Sequence, residues 1–178
     1  MRLHRVVFIS ALMPLAAFAA GSDETEPPQP TETTTVCEEG LIWDEKTEKC
    51  VAPVKESLND DQRFTAVREL AYAGRPDDAL VVLATMTEGD TDRVLTYRGF
   101  ALRKSGDVEG GIVAYEAALA QNPDNILAHS YYGQLLVELD NMDSARSHLA
   151  AIRNAGGVGT WAEASLERAI ATGETYSF

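Results

Sequence analysis

The chain has 178 residues, with 15 lysines and arginines against 28 aspartates and glutamates, a formal charge of −13. A balance this acidic excludes a nucleic-acid binder, because engaging phosphates requires a basic footprint. The inventory is also poor in the groups that do chemistry, with 3 histidines and 2 cysteines in the whole sequence.

Residues 1–19 carry Arg2, His4 and Arg5 ahead of an apolar run over 6–20, and Ala17-Phe18-Ala19 offers small residues where a signal peptidase reads. The run is broken by Pro14 and falls short of the roughly 20 residues that span a bilayer. The expectation is a cleaved signal peptide, a periplasmic or secreted protein, and no stable membrane insertion afterwards. Loss of Arg2 and Arg5 moves the formal charge from −13 to −15. Residues 20–36 hold Pro27, Pro28, Pro30, four threonines near Gln29 and Pro30, and acids without a basic residue. This composition cannot bury a core and reads as a disordered acidic linker.

Residues 37–54 read as a small β-hairpin closed by Cys37 and Cys50, since an exported chain with an even cysteine count favours a disulfide. Leu41-Ile42-Trp43 is one strand, Asp44-Glu45-Lys46-Thr47 the turn, and Cys50-Val51 the return. The spacing of Cys37, Gly40, Trp43, Asp44 and Cys50 is similar to the core hairpin of the peritrophin-type chitin-binding module. That module has more cysteines and a longer sheet. Trp43 therefore has two readings: a plug against the helical body, or a platform for a sugar ring.

Residues 58–173 read as an all-α body of seven helices, near 60–73, 77–87, 92–105, 108–121, 126–139, 142–154 and 161–172. In the best-marked stretch, 92–125, Leu95, Gly99 and Leu102 share one face, and Gly99 lets a neighbouring helix lie close. Gly106 suits a left-handed cap and Asp107 an N-cap. Ile112, Tyr115, Ala118 and Leu119 form a second stripe, and Pro123 stops it. Gly74 lies 32 residues before Gly106, and Gly133 lies 34 after Gly99. Ala79, Leu83 and Met86 precede on the matching positions, and Leu136, Ala145, Leu149 and Ile152 follow. Thr160 and Glu163 read as a capping box for the last helix, with Gly173 as its C-cap.

Gly99, Gly106, Tyr115, Ala118 and Pro123 stand where the tetratricopeptide repeat places its small, turn, aromatic, small and proline residues. The resemblance extends over about 60–157, with Gly111 in place of the usual alanine and Arg98 in place of a large apolar residue. It implies a right-handed α-solenoid of about three helical hairpins (60–91, 92–125, 126–157), closed by a capping helix over 160–172 and preceded by the stapled hairpin. Three repeats are near the minimum for stability, and the terminal unit must cover an apolar face.

The family holds peptides or folded partners on a concave surface lined by the first helix of each repeat. Its groove positions fall here on Phe64, Arg68 and Tyr72, then Arg93, Thr96, Phe100, Arg103 and Lys104, then Leu127, Ser130, Gln134 and Glu138. Aromatic and basic residues in that set suit an extended partner bearing acids or a C-terminal carboxylate. The asparagine-and-lysine clamp of the chaperone-binding members is absent. The acidic linker, 23–39, is a candidate for lying in the groove itself. No catalytic residue, cofactor or metal is expected: His129 and Ser130 are neighbours in sequence and do not face each other on a helix, and the chain has no G-x-S-x-G, H-E-x-x-H or phosphate loop. The resulting expectation is a non-catalytic protein-binding adaptor or assembly factor of the cell envelope. Its rival is a cell-wall or glycan-binding protein working through Trp43. The chain's ending, Tyr176-Ser177-Phe178, resembles the export signal of outer-membrane barrels, yet no run of alternating strands accompanies it.

Overall fold

A computed structural model describes residues 27–176. The expected signal peptide and the first part of the expected linker, 20–26, lie outside the described residues, as do Ser177 and Phe178. The elements in order are α1 (Glu32–Thr35), β1 (Ile42–Asp44), β2 (Lys49–Val51), α2 (Asp60–Tyr72), α3 (Pro76–Leu83), α4 (Asp92–Lys104), α5 (Val108–Gln121), α6 (Ile126–Glu138), α7 (Met142–Asn154) and α8 (Trp161–Thr172). The pairs α2/α3, α4/α5 and α6/α7 are helical hairpins. Each first helix touches the next first helix and the second helix of the hairpin before it. The body is an α-solenoid of three hairpins ended by α8.

The turns form for local reasons. Gly74, Gly106 and Gly156 all adopt positive φ after α2, α4 and α6/α7 respectively end, and the Asp107 and Asn125 side chains accept the Gly110 and Ala128 N–H groups at 2.9 Å. Asp140 fills the same left-handed role between α6 and α7 with φ of 56°. Asparagine and aspartate tolerate this region better than other residues with a β-carbon.

Hairpin spacing is set by small residues. A β-carbon built on Gly99 would lie 2.7 Å from the Tyr115 ring, and one on Gly133 would lie 2.6 Å from Leu166. Tyr115 is fully buried between α4 and its neighbours, so its ring has no room to retreat. Gly111 also brings α5 close to α4: a β-carbon there would meet the Gly99 carbonyl at 3.2 Å.

Helix α3 ends at Leu83, four residues before the expected end at 87. Thr85 turns back on itself, its N–H and its hydroxyl both donating to the Val82 carbonyl, at 2.9 and 2.7 Å. The Asp60 carboxylate then accepts from the Thr87 N–H, the Thr87 hydroxyl and the Glu88 N–H at 2.7–2.8 Å. These donors are taken out of the helix by a side chain of α2, which periodicity does not reveal. At α8, the Thr160 hydroxyl accepts the Glu163 N–H, but the Glu163 carboxylate returns to the Gly159 N–H at 2.7 Å, one residue before the expected partner.

The N-terminal part closes the first end of the stack. β1 and β2 pair antiparallel with Ile42 opposite Val51, Trp43 opposite Cys50 and Asp44 opposite Lys49, and Cys37 is disulfide-bonded to Cys50. Ile42, Val51 and Leu58 are buried in one cluster with Phe64, Ala66 and Leu70 of α2. Asp44 is fully buried. The Ser57 hydroxyl, against the burial, and then Thr47 and the Lys46 N–H hold its carboxyl below the usual range.

The end of the supposed linker is part of this closure. Instead of remaining disordered, residues 31–36 form α1 and its caps, because Glu69 of α2 gathers them. The Glu69 carboxylate accepts from the Thr31 N–H (2.7 Å), the Thr31 hydroxyl (2.5 Å), the Thr34 N–H (3.1 Å) and the Thr34 hydroxyl (2.5 Å). Arg75 donates to the carbonyls of Thr33, Cys37 and Glu38 from the far side. A composition that cannot form a core of its own is thus ordered against a buried acid.

Two predictions follow from this packing. Gly99→Val forces the Tyr115 ring or the α4–α5 spacing to shift, and overpacking of this kind costs about 1–3 kcal/mol. Urea unfolding will show a lower midpoint at unchanged slope, and an unchanged midpoint refutes the spacing argument. Removing the bond with Cys37→Ser and Cys50→Ser together frees a loop of 13 residues' separation, for which the chain-entropy estimate is about 3 kcal/mol. Thermal unfolding of this pair variant will fall by several degrees; a stability equal to the parent's would show that the bond closes nothing.

Candidate functional site, the concave face

Four first helices, α2, α4, α6 and α8, turn aromatic side chains toward one another. Tyr72 stacks on Phe100 with ring centroids 5.8 Å apart, Phe100 meets Tyr131 at 4.6 Å, and Tyr131 meets Trp161 at 6.2 Å. The hydroxyls of Tyr72 and Tyr131 share a hydrogen bond of 2.6 Å. Burial pushes both phenols well above their ordinary range, so both remain neutral.

Residues 174–176 occupy this face. After Gly173 ends α8 in a left-handed conformation, residues 174–176 run back across the first helices. The Tyr176 ring lies 5.3 Å from Tyr72 of α2 and 5.3 Å from Trp161 of α8. Its N–H donates to Gln134 Oε1 of α6 at 2.8 Å, and its carbonyl accepts from Lys104 Nζ of α4 at 2.6 Å. One residue thereby touches all four first helices. The Thr175 hydroxyl adds a bond to Glu138 Oε1 at 2.5 Å.

The charges on this face are largely committed. Arg103 is bidentate to Glu138 at 2.5 and 2.7 Å and donates to the Tyr131 carbonyl at 3.1 Å. Burial works against the Arg103 cation, and the Glu138 carboxylate outweighs it and keeps the cation strongly held. Burial and then Arg103 pull the Lys104 ammonium below its usual value. Arg93 binds Glu88 and Asp61, each at 2.9 Å, and its guanidinium lies 4.7 Å from the Phe64 ring centre.

Twelve residues were expected to line an open groove. Phe64, Arg68, Tyr72, Thr96, Phe100, Arg103, Leu127, Ser130 and Gln134 are all 9% exposed or less, Arg93 and Lys104 are half-buried, and Glu138 is exposed. Tyr72, Phe100, Arg103, Lys104 and Gln134 do converge, around the tail. Ser130 instead donates to the Ala162 carbonyl at 2.8 Å and belongs to the α6–α8 contact. Arg68 donates to the Tyr97 hydroxyl at 3.3 Å, beneath the aromatic layer. Phe64, Arg93 and Thr96 lie at another place, a recess of about 360 Å³ shared with Asp92, Asn122, Asn125 and Leu127. There the Asp92 carboxylate accepts from both asparagines, at 2.7 and 3.1 Å.

The expected linker over 23–39 does not lie on this face where it is described: Thr31–Glu38 sits on Glu69 and Arg75 at the first end of the stack. Trp161, Tyr131 and Tyr176 were not singled out as site residues. The alternating aromatics at the chain's end were the one sign of a docked tail.

Trp43 is half-buried beside a hollow of about 130 Å³ with Thr33, Gln62, Thr65 and Glu69. That is below the roughly 300–1,000 Å³ of small-molecule sites, and the Glu69 carboxylate in it already accepts four hydrogen bonds. Ile42, the neighbour on the strand, is the residue that plugs the helical body.

The two histidines of the body meet each other and not Ser130. His129 Nε2 and the Pro123 carbonyl lie 2.9 Å apart, and a carbonyl can only accept, so the proton of that bond sits on Nε2. The Nδ1 atoms of His129 and His148 share a hydrogen bond of 2.8 Å.

A tetratricopeptide repeat family model matches residues 102–158, which spans the end of α4 through α7. Searches of the curated proteins and of the solved structures returned no match. Tetratricopeptide repeats in general mediate contacts between proteins.

The histidine pair gives a pH prediction. Burial and then the neighbouring His129 lower the His148 pKa from 6.5 to about 4. Between those values the unfolded chain binds more protons, so this contribution to stability is complete above 6.5 and fades as pH falls toward 4. Melting temperature will drop across that window, and His148→Gln will drop less. Parallel curves for the two proteins would remove the histidine pair as the cause.

Proposed function

We propose that this protein is an exported, non-catalytic adaptor or assembly factor of the cell envelope that binds a protein or peptide on the concave face of its repeats. The observation that carries the reading is the seat of Tyr176. The four first helices hold an extended segment by its main chain and by one aromatic side chain, which is how a groove binds a peptide. Export rests on the pattern of residues 1–19 and agrees with the Cys37–Cys50 bond, since disulfides persist in oxidising compartments. In the periplasm or outside the cell the bond would keep the first end of the stack closed.

The cations that favoured an acidic partner bear less weight than their number implies. Arg93 and Arg103 are engaged by Glu88, Asp61 and Glu138. The partner is therefore defined by its backbone and its aromatic content ahead of its charge. Protein binding is favoured over glycan binding because the Trp43 hollow is small and its acid is saturated, whereas the concave face already holds a peptide segment.

Photo-crosslinking in cells tests the reading. A benzophenone side chain replacing Arg168, which lines a recess with Thr175 and Tyr176, samples the rim of the concave face, and one replacing Val113 samples the outer helix α5, where Val113 is 62% exposed. A protein adduct formed from position 168 and absent from position 113 supports the adaptor. The same adduct from both positions, or none from 168, ends it.

A further inference from the structure

The concave face is a peptide site with its occupant in place. Its contacts with Tyr176 separate into two kinds. Gln134 accepts the residue's N–H and Lys104 donates to its carbonyl; both bonds are to main chain and would form with any extended residue other than proline. The ring, in contrast, is half-buried and lies against Tyr72 of α2, tilted, and Trp161 of α8, edge to face. That contact favours an aromatic side chain, because an edge-and-face arrangement of rings adds attraction beyond the area it buries. The Glu138 carboxylate, held in place by Arg103, takes the hydroxyl of the preceding residue. The tail enters through Gly173 and the exposed Glu174, which is tied to α8 only by surface contacts, its carboxylate to Arg168 at 3.2 Å and its N–H to the Thr172 hydroxyl at 3.1 Å.

We propose that residues 175–176 are a self-ligand, and that the partner of this face is an extended peptide segment with an aromatic residue, which binds by displacing Tyr176. This rests on the protein-binding reading of the concave face and adds to it the chemistry of the ligand and a built-in competitor. The competition has a definite scale. A tail on a short connection is present at an effective concentration on the order of 1 mM. If the tail segment as a free peptide has a dissociation constant of roughly 0.1 mM, the tethered tail weakens the apparent binding of any competing peptide about tenfold. Partners that deliver a higher local concentration, or a second contact, overcome it, and casual aromatic segments do not.

The test uses the full chain and a labelled peptide of the tail sequence, Thr-Gly-Glu-Thr-Tyr-Ser-Phe. Tyr176→Ser empties the aromatic seat from outside the helical core. Fluorescence anisotropy is expected to show this variant binding the peptide about tenfold more tightly than the unmodified protein. The peptide with serine in place of tyrosine will lose that binding, and the peptide with phenylalanine will keep it. Adding Lys104→Met to the Tyr176→Ser chain will weaken binding again while circular dichroism and melting temperature hold. Equal affinity of the two full-length proteins for the peptide overturns the proposal. So does absence of saturable binding to a Tyr176→Ser chain that melts normally, or indifference to the tyrosine. A dimer of the unmodified protein that Tyr176→Ser dissolves in sedimentation would assign the tail to a second copy and overturn the intrachain competitor. If the peptide results fail while the crosslink from position 168 persists, the adaptor stands and only this ligand falls.

Discussion

A stack of three helical hairpins leaves apolar surface bare in three places: before the first hairpin, after the last, and along the inner face. Longer solenoids dilute the cost of their ends, but here each end is adjacent to the centre, and the fold depends on covering all three. The first end is covered by Ile42 and Val51 of the hairpin and by α1 gathered on Glu69. The last is covered by α8, whose Leu166 fills the space that Gly133 leaves. The inner face is covered by Tyr176. The same chain thus supplies two structural lids and one that meets the candidate binding surface.

The lids differ in how they are held. The hairpin is closed by a covalent bond and anchored through a buried acid with four hydrogen bonds. Helix α8 is a full element whose Ala162, Leu166 and Ala169 are buried. The tail has no helix or strand of its own and leans on side chains of other elements. Segments with few buried contacts open at low free energy, and moving parts of proteins are drawn from them. In the competition we propose, the inner lid is the one that leaves. The aromatic layer under it is rigid: Phe100, Tyr97 and Tyr131 are fully buried and interlocked at ring separations of 4.6–6.3 Å. A preformed floor with a loosely held occupant keeps the reorganisation cost of exchange low.

Much of this was legible in the residues. Apolar residues at helical spacing placed the seven body helices, and glycine or asparagine with an acidic or amide cap placed most of their ends. Gly99 was legible as a place of close helix approach, and the structure supplies the ring that approaches it, Tyr115. The hairpin followed from Cys37, Cys50 and the aspartate-led turn. Where the reading diverged, a distant side chain intervened. Asp60 ended α3 early, Glu69 ordered the supposed linker, and of the groove positions Tyr72, Phe100, Arg103, Lys104 and Gln134 meet around Tyr176 while Phe64, Arg68, Arg93, Thr96 and Ser130 lie apart from it.

The sequence by itself determined the helices, their caps, the pairing of the two cysteines and the repeat, since each depends on residues within one or two turns of one another or on a short period. Only the tertiary structure decided that Arg103 belongs to Glu138, that His129 belongs to His148, and that Tyr176 returns to the inner face. Those partners lie 35, 19 and up to 104 positions apart in the chain. Periodicity carries no information over such separations. The contacts arise because stacking brings four first helices together, and a tail released at the end of the last one is then within reach of the first.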